Sequence, residues 1–140
     1  MEQNKLAPHL GRIQYFNEQL QKQTNRKSVY LKQLEEIKNL LKENEQEIEY
    51  NEGWVKFHEK SIEEHKKIIK ETFDLNEKID QEEKLKFHEK QIQEHHKKYI
   101  EYHKKEIEAI KNEIKIFEQG IKRCEGQLEF IKKKMEKEDN

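Results

Sequence analysis

"FDLNEKIDQEEK", from Phe73 to Lys84, is where a seven-residue repeat of aliphatic side chains lapses near the middle of the 140-residue chain. On its N-terminal side, counting in sevens from Leu6 gives Ile13, Leu20, Lys27, Leu34, Leu41, Ile48, Val55, Ile62 and Ile69, and Lys27 alone is not aliphatic. That is one rung of a coiled-coil seam. The companion rung, three residues on, reads His9, Phe16, Gln23, Tyr30, Ile37, Asn44, Asn51, His58 and His65, and turns polar toward Phe73. On the C-terminal side the ladder reads Leu85, Ile92 and Tyr99. It then slips by one residue and resumes as Ile107, Ile114, Ile121, Leu128 and Met135, with Ile110, Phe117, Cys124 and Ile131 as companions. A one-residue insertion of this kind changes the supercoil locally.

A turn in the interrupted stretch therefore folds the chain into an all-α, long antiparallel two-helix coiled-coil hairpin. The expected boundaries are helix 1 over about residues 5–73, a turn over about 74–80 and helix 2 over about 81–137, all within a single domain. Asp80 with Glu83 supplies an N-cap and capping-box pair for the second helix. Pro8 falls in the first turn of helix 1, where a missing N–H costs little, and Lys132 to Lys134 suit the negative end of the last helix. Folding back there pairs Ile69 with Leu85, Ile62 with Ile92 and Val55 with Tyr99. Beyond the slip it pairs Ile48 with Ile107, Leu34 with Ile121 and Leu20 with Met135. At 1.5 Å per residue the helices would span about 90 Å, and each buried aliphatic rung contributes about 1.5 to 3 kcal/mol. Gly53 is the weak point of helix 1, because a mid-helix glycine costs about 1 kcal/mol relative to alanine. The seam stays in phase across it, so the helix is expected to continue, with a kink opposite the slip.

Composition agrees with narrow stripes rather than a thick core. Hydrophobic residues make up 31% of the chain and charged residues 42%. The 29 basic and 30 acidic side chains are interspersed, which lacks the footprint of a nucleic-acid or membrane-surface binder. Scarce glycine and a single proline with a net charge of -1 contradict a disordered chain. No run suits a membrane span or a signal-peptide core, so a soluble, cytoplasmic protein is expected. The lone Cys124 is expected to pack as a small apolar group.

Two segments repeat: "KFHEKSIEEHKK" (Lys56–Lys67) and "KFHEKQIQEHHKK" (Lys86–Lys98). The expected register brings His58 opposite His95 and His96, and His65 opposite His88 and Glu89. The structural reading makes these polar layers that fix register, each imidazole bonded to a nearby Glu59, Glu64, Glu89 or Glu94. The chemical reading is Zn²⁺ or Ni²⁺ held by His58, His65, His88 and His95. Against it, histidines seven residues apart on one helix lie about 10 Å apart, and H-E-x-x-H spacing is absent. A pH switch is the third reading, with a sign set by what faces the rings.

Apolar residues outside the seam form a second strip: Leu40, Tyr50, Trp54, Phe57 and Ile68 on helix 1, and Phe87, Tyr102, Ala109, Ile116 and Phe130 on helix 2. A two-helix pair leaves them wet, so a docking face is expected, either for a second copy that completes a four-helix-bundle dimer or for a different protein. No nucleophile arrangement, phosphate loop or cysteine pair points to catalysis. The sequence thus predicts a non-enzymatic coiled-coil interaction module, an adaptor, scaffold, chaperone or inhibitor, acting through its aromatic strip and hairpin tip and needing no cofactor. A metal- or pH-responsive sensor built on the repeated histidine segments is the alternative.

Overall fold

The computed structural model describes residues 2–139, with side chains described for residues 10–138. The seam places of Leu6 and His9 and the environment of Pro8 fall outside those side chains. The fold is an all-α helical hairpin. Helix α1 spans Glu2–Glu71, α2 spans Leu75–Gln91, a single π-helical turn covers Ile92–His96, and α3 spans Lys97–Asp139. Among the described residues, no helix is long and apolar enough to cross a membrane.

The turn is shorter and earlier than the sequence suggested. It comprises residues 72–74, and the cap of the second helix is Asp74 rather than Asp80. Asp74 has extended backbone at φ -79 and ψ 117. Its Oδ1 accepts from Asn76 N–H at 2.9 Å and Glu77 N–H at 3.5 Å. Those bonds satisfy amides that a helix start leaves without partners. Thr72 Oγ1 accepts from Asp74 N–H at 3.3 Å and closes the corner. Asp80 instead pairs with Lys84 on its own helix at 3.0 Å. Phe73 sits at the corner fully exposed.

The chain divides into two compact units. The tip unit is Leu40–Ile110; the terminal unit combines Met1–Asn39 with Lys111–Asn140. In the tip unit Ile62, Ile92 and Ile110 are buried together with Asn44, Asn51, His58 and Gln81. In the terminal unit Ile121, Cys124 and Ile131 are buried, and the buried free thiol packs as an apolar group. Tyr30 meets Phe117 with ring centroids 6.3 Å apart, and Lys27 Nζ reaches Glu125 Oε1 at 3.3 Å. From Ile13 and Phe16 through His65 and Ile69, every rung residue of α1 is buried or partly buried, and only Gln19 and Ser61 off the rungs are covered to the same degree.

The slip is real and has a physical form. A π turn holds one more residue than an α turn, and here Lys97 N–H bonds Ile92 C=O five residues back. After Ile92 the seam therefore continues through His96, Ile100 and His103, while Tyr99 stands 55% exposed. That corrects the places of Tyr99 and His95, both expected on the inner side. The turn lies across from Gly53: His96, its last residue, bonds Asn51. Helix α1 passes Gly53 unbroken.

The glycines separate into two kinds. A Cβ at Gly53 would meet nothing within 4 Å, whereas one at Gly120 would stand 3.0 to 3.2 Å from the Tyr30 ring. Alanine at position 53 should thus gain the helix-propensity difference of about 0.5 to 1 kcal/mol. At position 120 that gain is offset by displacing the ring. In urea titrations Gly53→Ala should raise the midpoint and Gly120→Ala should not. The reverse order would contradict the close approach.

Candidate functional site

The tip unit contains four successive polar layers, each bonded across the seam. Asn44 and Asn51 sit one heptad apart on α1, and each donates its Nδ2–H to the carbonyl four residues back: Asn44 to Leu40 O at 2.9 Å, Asn51 to Glu47 O at 2.8 Å. That bond turns each amide oxygen toward the other helix. His103 Nδ1–H donates to Asn44 Oδ1 at 2.8 Å, and His96 Nδ1–H donates to Asn51 Oδ1 at 3.1 Å. The two asparagines thereby set the tautomer of the two histidines. His58 and His88 face each other with Nδ1 atoms 2.7 Å apart, so one ring donates and the other accepts. His65 Nδ1–H donates to Gln81 Oε1, whose Nε2–H is given to Glu77 Oε1 at 2.9 Å.

These partners lie one heptad from those expected. His58 bonds His88, with His96 stacked on its other side, and His65 bonds Gln81 while stacking on His88. Val55 accordingly lies level with Ile92 rather than Tyr99. In the expected register Asn44 would have met Ile110, leaving a buried amide oxygen unpaired at a cost of about 1 to 3 kcal/mol. In the observed one, four polar residues of α1 meet four polar residues of the returning chain. No buried side-chain nitrogen or oxygen among the described residues lacks a partner. The glutamates expected beside the rings, Glu59, Glu64, Glu89 and Glu94, are all exposed.

The rings form a continuous column. His65 stacks on His88 at 5.3 Å and 22°, His88 meets His58 at 5.0 Å, His58 stacks on His96 at 5.2 Å and 30°, and His96 lies parallel to Trp54 at 6.1 Å and 5°. Burial, and then the neighbouring imidazoles His88 and His96, hold His58 below its usual pKa. His88 is lowered by burial and by His65, and His96 by burial and by His95. The seam is only two helices thick, so water lies close to every ring and the desolvation is partial. Of the four histidines proposed as metal ligands, the structure brings His58, His65 and His88 into this column. His95 points elsewhere, into a groove with Lys98 and Tyr102. Among the described residues no group of three or more His, Cys, Asp or Glu is arranged to hold a metal ion.

All nine residues proposed as a partner-binding strip are exposed: Leu40, Tyr50, Trp54, Phe57, Ile68, Phe87 and Tyr102 in the tip unit, and Ile116 and Phe130 in the terminal unit. In the tip unit Tyr50, Trp54 and Phe57 make a connected surface. Tyr50 meets Trp54 edge-on at 6.3 Å, and Trp54 meets Phe57 edge-on at 5.5 Å. Phe57 and Phe87 both border His88, at 6.4 and 5.5 Å, and Leu40 and Tyr102 line one groove. The aromatic surface thus rests on the imidazole column. Sequence periodicity missed Phe73 and Leu75 at the corner, exposed because the cap falls at Asp74, and Tyr99, which the π turn brings out beside Tyr102.

These features define a helical hairpin whose tip unit combines a polar, histidine-rich seam with an exposed aromatic face. Comparison with protein-family models, curated proteins and solved structures finds no match for this chain.

Proposed function

We propose that this chain is a non-enzymatic coiled-coil interaction module whose working surface is the aromatic face of the tip unit, extended by the corner residues Phe73 and Leu75. The observation that carries this is the connected run Tyr50, Trp54 and Phe57. Each side chain is at least 40% exposed, yet each is held by its neighbours in edge-to-face contact. Rigid, half-exposed aromatics are the residue types that dominate binding energy at protein interfaces. The face takes a further helical surface, either of another copy or of a different protein. A cytoplasmic setting suits the unpaired Cys124.

Trp54→Ala combined with Phe57→Ala should leave far-UV helicity close to the parent's, because neither residue belongs to the two seam rungs. Association should fall by about 30-fold or more, the loss that goes with one interface hot spot. Light scattering across a dilution series measures this. A double variant that associates as strongly as the parent would remove the face from the account.

A pH-responsive role is the second reading, favoured by the column of rings beneath that face. Protons taken up by His58, His88 or His96 act next to Trp54 and Phe57, so a change in the column changes the support of the docking surface.

A further inference from the structure

We propose that the occupant of the aromatic face is a second copy of this chain, docked so that basic grooves of its terminal unit meet the acidic aromatic grooves of the tip unit. This rests on the aromatic face being the working surface.

The grooves of the two units differ in the sign of their charge. The grooves of the tip unit that hold Tyr50, Trp54, Phe57, Leu40, Tyr99 and Tyr102 are rimmed by Glu43, Glu47, Glu49, Glu94 and Glu106, with Lys98 as their only ammonium group. The grooves of the terminal unit contain Lys22, Arg26 and Arg123 and no carboxylate, and their apolar members are Val29, Tyr30 and the buried Cys124. Some exposed charges elsewhere in the chain do pair within it, such as Lys84 with Asp80 at 3.0 Å and Arg12 with Glu138 at 3.3 Å. Glu43, Glu47, Glu49 and Glu106 on one side and Lys22, Arg26 and Arg123 on the other make no ion pair in the described structure. Each set has the sign that the other lacks.

Face-to-same-face pairing of two tip units would set these carboxylates against their own copies, and like charges brought together at an interface cost several kcal/mol. Tip-to-terminal docking sets them against guanidinium and ammonium groups, around apolar side chains on both surfaces. When two copies exchange this contact both ways the pair closes, whereas a one-way contact runs on into open chains.

The test is a charge swap read by sedimentation equilibrium. One variant carries Glu43→Lys, Glu47→Lys and Glu106→Lys; the other carries Lys22→Glu, Arg26→Glu and Arg123→Glu. All six positions lie outside the seam rungs, and circular dichroism checks that each variant folds. The parent should be a dimer at low salt and bind at least tenfold more weakly at about 0.5 M salt, where screening is strong. Each variant alone should be a monomer, and an equimolar mixture should restore the dimer. Should a lysine variant misfold, Glu→Gln at the same three positions should weaken the parent's dimer in the same direction. A parent that stays monomeric at low salt, a variant that dimerises like the parent, or a mixture that stays monomeric overturns the proposal. A dimer that ignores the charge swaps but is lost in the Trp54→Ala, Phe57→Ala variant would retain the aromatic face and reject only this pairing. A dimer that ignores the aromatic variant would reject the face itself.

Discussion

Deleting Gln93 will leave the tip unit folded and at least as stable as the parent, whereas deleting Glu52 from the facing helix will abolish its cooperative unfolding transition. Seam positions on the returning chain run Gln81, Leu85, His88 and Ile92 up to the first residue of the π turn, and His96, Ile100, His103 and Ile107 from its last residue onward. Steps of four and three alternate, except that three steps of four follow one another from His88 through Ile92 and His96 to Ile100. Removing one exposed residue inside Ile92–His96 restores the alternation, so an ordinary α-helix can present the same side chains inward. Helix α1 has no such surplus. One residue fewer at position 52 rotates everything beyond it by about 100° and takes Val55, His58, Ile62 and His65 off the seam. Each aliphatic layer is worth about 1.5 to 3 kcal/mol, and each orphaned polar partner costs about 1 to 3 kcal/mol. Together these approach the whole stability of a small domain, about 5 to 15 kcal/mol. Urea titrations followed by circular dichroism measure both variants. A ΔGln93 chain that is unfolded, or a ΔGlu52 chain with the parent's midpoint, would contradict the π turn as a removable insertion.

The same seam shows what a sequence can and cannot reveal here. The two rungs of α1 were legible from Ile13 to Ile69 because heptad spacing fixes which side of a helix is covered. The slip was legible as a count of one extra residue, but not its position: Tyr99 is apolar enough to pass for a seam residue, while Ile100 beside it takes the place. The turn was misread for a deeper reason. A heptad ladder looks the same after a shift of seven residues, and Asp74 with Glu77 has the spacing of Asp80 with Glu83. The signal that distinguishes the registers lay in the polar rungs. Asn44, Asn51, His58 and His65 need polar partners, and only one register gives each of them one. The exposed strip was legible at all nine positions, since it is what remains once the seam is removed.

Acidification will destabilise the tip unit, with stability falling as pH drops below about 6.5. His58, His88 and His96 have folded-state pKa values below the usual histidine value. The unfolded chain therefore binds protons that the folded chain resists, and stability is greatest above the unfolded pKa and is lost as pH falls toward the folded ones. The groups facing these rings are other imidazoles, amides and the Trp54 indole, so no carboxylate bonded to them opposes the loss. Each proton taken up on unfolding contributes a slope of at most about 1.4 kcal/mol per pH unit. The His58–His88 pair sharpens the effect at its second proton. A singly protonated pair keeps its Nδ1–H donor and acceptor, but a doubly protonated pair sets two donors 2.7 Å apart. Urea midpoints measured from pH 8 to pH 5 should fall, and His58→Leu with His88→Leu should flatten the curve by removing the pair together. A midpoint that rises on acidification, or a double variant with the parent's slope, would reject the mechanism.

The most direct test of the account is a pair of engineered cross-links in a Cys124→Ala background. Register is what sets the polar layers, the imidazole column and the exposed aromatic face. His58→Cys with His88→Cys should oxidise within one molecule, seen as a faster band on a non-reducing gel and the loss of two protons in intact mass. His58→Cys with His95→Cys should stay reduced under the same conditions, because position 95 lies on the outer side of the π turn. An intramolecular disulfide in the second variant and none in the first would show the helices one heptad away from the register described here.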